Sequence, residues 1–258
     1  MPRVKLGSGL PPKTPELKRF EAAMVELNRF YWTYVCSLDV AVAAATNHSR
    51  LSEFVPSKNW KQLDISTKEF VGHRKEVELL ARYSFLTQSI TYFEDYLASV
   101  LKSYLITRFR QDKMYSIKLR LNEIPSSHLD AYVRQLVAEA EIRGIMDAKY
   151  TDRMKRVKYL LAEHGTFRNV DVTMPDDSVL TAAHEARHCI VHTAAIVDAR
   201  AAASLTQVFS GIRVGDRLPL DEPRLRVLLG AVRDGARAVD VALRMAPKVA
   251  RSPRKSTS

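Results

Sequence analysis

Three histidines and one arginine are concentrated in the run from His184 to His192, within an otherwise apolar part of the sequence. A histidine can take up and release a proton near neutral pH, and an arginine carries a permanent charge on a planar set of donors that matches phosphate oxygens. Arg187, His188 and His192 therefore have the side chains needed for acid–base catalysis on a phosphodiester.

Such a reaction would cut RNA without a metal or a cofactor. His192 would remove the proton from a ribose 2′-hydroxyl, and Arg187 would neutralise the charge that grows on the pentavalent phosphorus. The 2′-oxygen would then attack the phosphorus and expel the 5′-oxygen. The products would be a 2′,3′-cyclic phosphate and a 5′-hydroxyl.

The same residues have two other interpretations. Histidine and arginine often lie between packed helices with their polar ends hydrogen-bonded, which would be a structural role. His184, His188 and His192 are also spaced four residues apart, so that neighbouring pairs share a helical face, as metal ligands would. The outer two histidines diverge by about 80° on a helix, so three ligands on one ion would need a distortion. A two-histidine site completed by a carboxylate from elsewhere is a further alternative.

The run Ala186-Arg187-His188-Cys189-Ile190-Val191-His192-Thr193 resembles the Arg-x4-His signature of the HEPN superfamily, many of whose members cut RNA. These proteins carry an arginine, usually followed by a polar residue, with a histidine four to six positions after the arginine. Arg187, His188 and His192 match these positions. Ile196-Val197-Asp198 is similar to the family's continuation.

Two features of the run differ from the family pattern. His188 stands where asparagine is frequent, and a polar histidine there is compatible with function. Thr193-Ala194-Ala195 stands where residues of the Asn-Asp-Gly type often follow. We therefore expect the motif to sit in a longer helix than usual, one that continues through Ala194 to Val197.

The resemblance implies an all-α, HEPN-like up-and-down helical bundle over residues 75–245, preceded by an additional long N-terminal helix. It implies an endoribonuclease in which Arg187 binds phosphate, His192 is the general acid and base, and His188 is a polar assistant. Arg187 and His192 diverge by about 140° on an ideal helix. HEPN ribonucleases join the two motifs of a homodimer in one cleft, so a homodimer is also implied. A local distortion of the helix would bring the two side chains together as well.

Glu94 is a further candidate site residue, because the early helix of HEPN bundles often carries an acid that faces the active site. It would orient His192 or Arg187; its alternative is a solvated acid on an amphipathic helix. The resemblance also suggests a bacterial toxin or phage-defence effector, with an antitoxin or regulatory protein as partner. The rival function is a catalytically inactive HEPN-like module that binds RNA or protein.

Composition favours a polyanionic partner, which could be RNA, DNA or an anionic membrane face, because the net charge is +11 and the isoelectric point is about 9.7. The two cysteines, Cys36 and Cys189, have no Cys-x-x-Cys partner, which is typical of a reducing cytoplasm. The sequence has neither an apolar stretch of about 20 residues nor a secretory leader, so we expect a cytoplasmic protein without membrane contact.

Helical periodicity and capping residues predict six helices and few turns, which favours an all-α fold. The predicted helices run over about 14–46, 75–110, 126–144, 151–165, 177–197 and 222–245. Two short non-helical pieces are expected, an extended piece over 166–175 and a small β-hairpin over 212–220. Residues 14–247 are predicted to form one helical domain between two disordered basic tails, 1–13 and 248–258.

Overall fold

The computed structural model describes residues 12–53, 65–107, 129–163 and 177–245. Over these ranges the chain is helical and has no β-strand beyond two isolated bridges, which confirms the all-α prediction. None of the described helices is long and apolar enough to span a membrane. The helices are α1 Pro15–Ala45, α2 Thr67–Gly72, α3 Arg74–Thr107, α4 Leu129–Met146, α5 Tyr150–Glu163, α6 Asp177–His192, α7 Ala199–Leu205 and α8 Glu222–Met245, with a 3-10 turn at Leu51–Glu53.

The chain divides into two compact units, each assembled from separated segments. The first unit comprises Met1–Phe20, Phe93–Asp177 and Arg233–Ser258, and the second comprises Glu21–Tyr92 and Ser178–Val232. Three of the boundaries fall inside α1, α3 and α8. A single domain over 14–247 stays a prediction.

In the first unit, the described residues form an apolar core that encloses the carboxylate of Asp240. Phe20 lies edge-on to Phe93 with ring centroids 6.5 Å apart. Asp240 is fully buried and accepts hydrogen bonds from the backbone N–H of Thr14 at 3.1 Å and from its hydroxyl at 2.5 Å. Arg244 lies 2.7 Å from the same carboxylate. A buried carboxylate needs such partners, and these bonds fix the start of α1 against α8.

The second unit contains the motif helix and is held partly by hydrogen bonds from α3. Tyr31 of α1 stacks on Phe85 of α3 at 4.8 Å with nearly parallel rings. The Tyr83 hydroxyl donates to the carbonyl of Leu218 at 2.5 Å, and Nε of Arg82 donates to the carbonyl of Leu220 at 2.8 Å. The segment that leads into α8 is thereby fixed to α3.

Most predicted helix ends lie within a few residues of the observed ones. The hydroxyl of Thr14 accepts the N–H of Leu17 at 3.1 Å, which confirms the predicted cap of α1. The carboxylate of Asp221 accepts the N–H of Arg224 at 2.9 Å and caps α8 in the same way. Helix α5 begins at Tyr150, one residue before its predicted start at 151.

Two other predictions need correction. α4 continues past Gly144, because a glycine weakens a helix without ending it when its neighbours are well packed. Residues 212–220 do not pair with each other as a hairpin, because Arg217 forms its bridge with Ile196 instead. The predicted helix start at 126, the extended piece over 166–175, the C-terminal tail and most of the N-terminal tail lie outside the described residues.

Candidate functional site

Helix α6 is anchored by a fully buried apolar face. Leu180, Ala183, Ala186 and Cys189 have no exposed surface. Burial raises the pKa of the Cys189 thiol, which disfavours the reactive thiolate, and the side chain contributes to the packing of this face. The polar residues between these positions are therefore held on a helix that is fixed along its length.

The two histidines at the end of α6 contact each other. The ring centroids of His188 and His192 are 4.7 Å apart and the rings are inclined by 43°. His192 is exposed and His188 is half-buried. The helix is unbroken up to His192, so the two rings share one face, as residues four apart must. Two adjacent imidazoles at a surface can bind or exchange a proton with a ligand.

Arg187 lies on a different face of α6. It is half-buried, its Nε atom is shielded from solvent, and that atom has no hydrogen-bond partner among the described residues. No described carboxylate forms an ion pair with Arg187. Since α6 is a regular helix through the motif, Arg187 diverges from His192 by about 140°. A single chain therefore does not bring Arg187 and His192 to one face.

The remaining polar residues of the run are buried. His184 is only 7% exposed, and Glu185 is only 6% exposed. Glu185 accepts a hydrogen bond from Nη2 of Arg200 at 2.7 Å, while its other oxygen is buried without a hydrogen-bond partner in the described part of the chain. No group of three or more metal-binding side chains occurs in the described ranges.

The backbone turns sharply after His192. Ala194 and Ala195 have φ angles of 52° and 65°, in the left-handed region that alanine rarely adopts. The N–H groups of Thr193 and Ala195 both donate to the carbonyl of Cys189, at 3.0 and 2.8 Å. The predicted continuation of the helix to Val197 is therefore wrong, and His192 is the last helical residue.

A second segment supports this turn. Leu218 donates its N–H to the carbonyl of Ala195 at 2.8 Å, and Val197 donates to the carbonyl of Asp216 at 2.9 Å. Gly215 donates to the carbonyl of Val197 at 2.8 Å and has a φ of 90°, which a residue with a side chain would rarely adopt. These bonds fix the chain that follows His192.

Glu94 lies in α3 within the first unit, whereas the motif belongs to the second unit. Its carboxylate lies 2.5 Å from Nη1 of Arg153 in α5, and both side chains are mostly buried. Arg153 also donates to the carbonyl of Met146 at 2.7 Å. Glu94 thus has a cationic partner that the sequence did not indicate, and its role in orienting the motif stays a prediction.

Comparisons of the chain with protein-family models, with curated proteins and with solved structures find no match. The site is therefore interpreted from its own residues. Sequence reasoning missed the pair of Glu185 and Arg200. The sequence did indicate the helix that carries Arg200, because an aspartate before an alanine-rich run is typical of a helix start. In the structure Asp198 caps α7 by accepting the N–H of Ala201 at 2.7 Å.

Proposed function

We propose that the protein is a metal-independent endoribonuclease of the HEPN type. The observation that carries this proposal is the contact between His188 and His192 at the solvent-facing end of α6, on the same helix as an arginine without an ion-pair partner in the described ranges. Histidine and arginine suffice for cleavage through the 2′-hydroxyl of RNA. The net charge of +11 supports a polyanionic substrate.

In this proposal His192 is the general base and later the general acid. It takes the proton of the ribose 2′-hydroxyl as the 2′-oxygen bonds to phosphorus. Protonated His192 then gives a proton to the 5′-oxygen as the bond between phosphorus and that oxygen breaks. Arg187 binds the phosphate and offsets its growing negative charge. His188, whose ring contacts that of His192, assists as a polar neighbour.

The proposal includes a homodimer. Arg187 and His192 diverge by about 140° on α6, so a second chain is a simple means of bringing an arginine to the histidine face. The resemblance of the motif to HEPN ribonucleases supports this pairing. The same resemblance underlies the proposed biological role, a toxin or phage-defence effector whose activity an antitoxin or another regulatory protein controls.

The test is cleavage of end-labelled total RNA in the presence of EDTA by the purified protein. We expect the wild type to leave 2′,3′-cyclic phosphate ends. Arg187→Ala and His192→Ala should each lower the cleavage rate by at least about 100-fold, the usual effect of removing an acid–base or charge-stabilising group. His73→Ala is the matched control, because His73 is an exposed histidine of the same unit outside the motif.

The outcomes separate the rival functions. Intact RNA that nevertheless binds the protein would favour a catalytically inactive module that binds RNA. Equal cleavage by the wild type and both motif variants would point to a contaminating nuclease and overturn the assigned roles. Cleavage that EDTA abolishes would favour a metal site that uses two of the histidines.

A further inference from the structure

A buried acid of α6 holds an exposed arginine of α7. The Nη2 atom of Arg200 lies 2.7 Å from Oε1 of Glu185, and the side chain of Arg200 is 48% exposed whereas that of Glu185 is 8% exposed. Asp198 caps α7 and fixes the backbone that carries Arg200. The guanidinium is thus attached at one edge, and its remaining donors form no hydrogen bond with a described residue.

Glu185 lies on the face of α6 that carries the histidines. On a regular helix it diverges from His192 by about 20° and from His188 by about 60°. Along the axis these residues lie about 10.5 Å and 4.5 Å further on. Arg187 diverges from Glu185 by about 160°, on the other side of the helix. Through its bond to Glu185, Arg200 is a cation that one chain brings toward the histidine side of α6.

We propose that Arg200, held by Glu185, binds a phosphate of the RNA backbone on the face of α6 that carries His188 and His192. This inference rests on the proposed function and adds a binding residue to its site. In this arrangement each chain supplies Arg200 to its own histidines, and the partner chain supplies Arg187 in a dimer.

The chemistry of arginine suits this role. Its planar fork can donate from one edge to a carboxylate and from another edge to phosphate oxygens. An arginine that a buried carboxylate already orients loses less conformational freedom when the phosphate binds. The carboxylate offsets part of the positive charge, so the contribution of Arg200 lies at the low end for a charge-assisted bond, about tenfold in affinity.

Arg200 could instead serve only to attach α7 to α6. A binding experiment distinguishes this structural role from phosphate binding. The probe is a fluorescent single-stranded 2′-O-methyl oligonucleotide, which lacks the 2′-hydroxyl and cannot be cleaved. Its Kd is measured by anisotropy over a range of salt concentrations. The variants are Arg200→Gln and Arg200→Lys. Arg226→Gln is the matched control, because Arg226 is an exposed arginine of the same unit that pairs with Glu222.

We expect Arg200→Gln to raise the Kd about tenfold and to reduce the slope of log Kd against log salt by about 0.7, the value for one phosphate contact on a single strand. Arg200→Lys keeps the charge and loses the fork, so its Kd should rise about threefold. Arg226→Gln should stay within about twofold of the wild type, as an arginine that makes no phosphate contact.

Equal values of Kd for Arg200→Gln and Arg226→Gln would overturn the inference, as would a wild type that does not bind the probe. If Arg200→Gln does not fold by circular dichroism, Arg200→Lys decides, and a Kd equal to that of the wild type rejects the role. RNA cleavage is assayed in parallel. If the wild type cleaves RNA but the Arg200 variants bind the probe as tightly as the wild type, only the role of Arg200 is rejected. If the Arg200 variants bind the probe more weakly but the wild type does not cleave RNA, only the nuclease function is rejected.

Discussion

At the scale of single residues, the motif of α6 separates into two parts. His188 and His192 contact each other on one face, and Arg187 occupies another face with its Nε shielded from solvent. A buried donor left without a partner costs about 1–3 kcal/mol.

A substitution of Glu94 distinguishes its two roles, because a structural role affects stability and a role in orienting the motif affects RNA cleavage. We expect Glu94→Gln to lower the free energy of unfolding by about 1–3 kcal/mol, since it leaves the mostly buried Arg153 without its carboxylate. The RNA cleavage rate of the folded variant should stay within about threefold of the wild type, because the carboxylate of Glu94 pairs with Arg153 of α5 and acts on packing. Urea unfolding and the cleavage assay measure the two quantities.

Asp95→Asn is the control for this substitution, because Asp95 is exposed and adjoins Glu94 on the same helix. Its unfolding free energy should change by less than about 0.5 kcal/mol, as is usual for surface changes. A cleavage rate that falls far more than stability in Glu94→Gln would instead support the role in orienting Arg187 or His192.

At the scale of helices, the turn after α6 stores backbone strain. Ala194 and Ala195 both lie in the left-handed region, which costs a residue with a side chain about 1–2 kcal/mol. Ala194 is exposed, so its methyl group contributes little to packing. Ala194→Gly should therefore raise the free energy of unfolding by about 1 kcal/mol, measured by urea denaturation.

Ala203→Gly is the opposite case and serves as the control. Ala203 is also exposed but lies inside α7, where glycine should cost about 0.5–1 kcal/mol. If both substitutions destabilise the protein by similar amounts, the left-handed conformation of Ala194 is not the native one, and the end of α6 at His192 would be in doubt.

Capping residues in the sequence predicted where α1 and α8 begin, but no local signal predicted where α6 ends. Thr14 and Asp221 are capping residues, and their side chains accept the N–H groups that the sequence leads one to expect. After His192 come Thr193 and two alanines, and alanine favours helix. What ends α6 is the pairing of 195–197 with 215–218, a contact between distant parts of the sequence that no local pattern records.

The site could be predicted only in part for the same reason. The motif residues are neighbours in sequence, so their chemistry was visible and the shared face of His188 and His192 followed from helical spacing. Arg200 reaches α6 through an ion pair with Glu185 across a turn. The partner of Glu94 likewise comes from another helix, α5. Side-chain pairs of this kind depend on tertiary packing, which the sequence of one chain does not specify locally.

At the scale of the whole molecule, both units enclose polar groups that restrict the pH range of stability. The division into two units was not predicted, since its boundaries in α1, α3 and α8 carry no glycine- or proline-rich linker.

Each unit buries a tyrosine hydroxyl that is hydrogen-bonded to a backbone carbonyl. Tyr96 donates to Ala236 at 2.9 Å in the first unit, and Tyr83 donates to Leu218 in the second.

These tyrosines predict a loss of stability in alkali. Burial raises the pKa of Tyr31, Tyr83 and Tyr96, most strongly for Tyr96, where the nearby Asp240 carboxylate raises it further. A raised pKa in the folded chain gives stability that is fully present below the pKa of tyrosine in the unfolded chain, about 10, and is lost as the pH rises through the folded value. The urea midpoint should therefore fall between pH 8 and pH 11.

Tyr96→Phe separates this effect from general alkaline denaturation. At pH 8 the variant should be less stable by about 1 kcal/mol, because the carbonyl of Ala236 loses its donor. The further decrease between pH 8 and pH 11 should be smaller than in the wild type, since one buried phenol no longer opposes ionisation. Tyr159→Phe, at a side chain that is 68% exposed, should leave that decrease unchanged. If Tyr96→Phe also leaves the decrease unchanged, burial of Tyr96 does not contribute to alkaline unfolding.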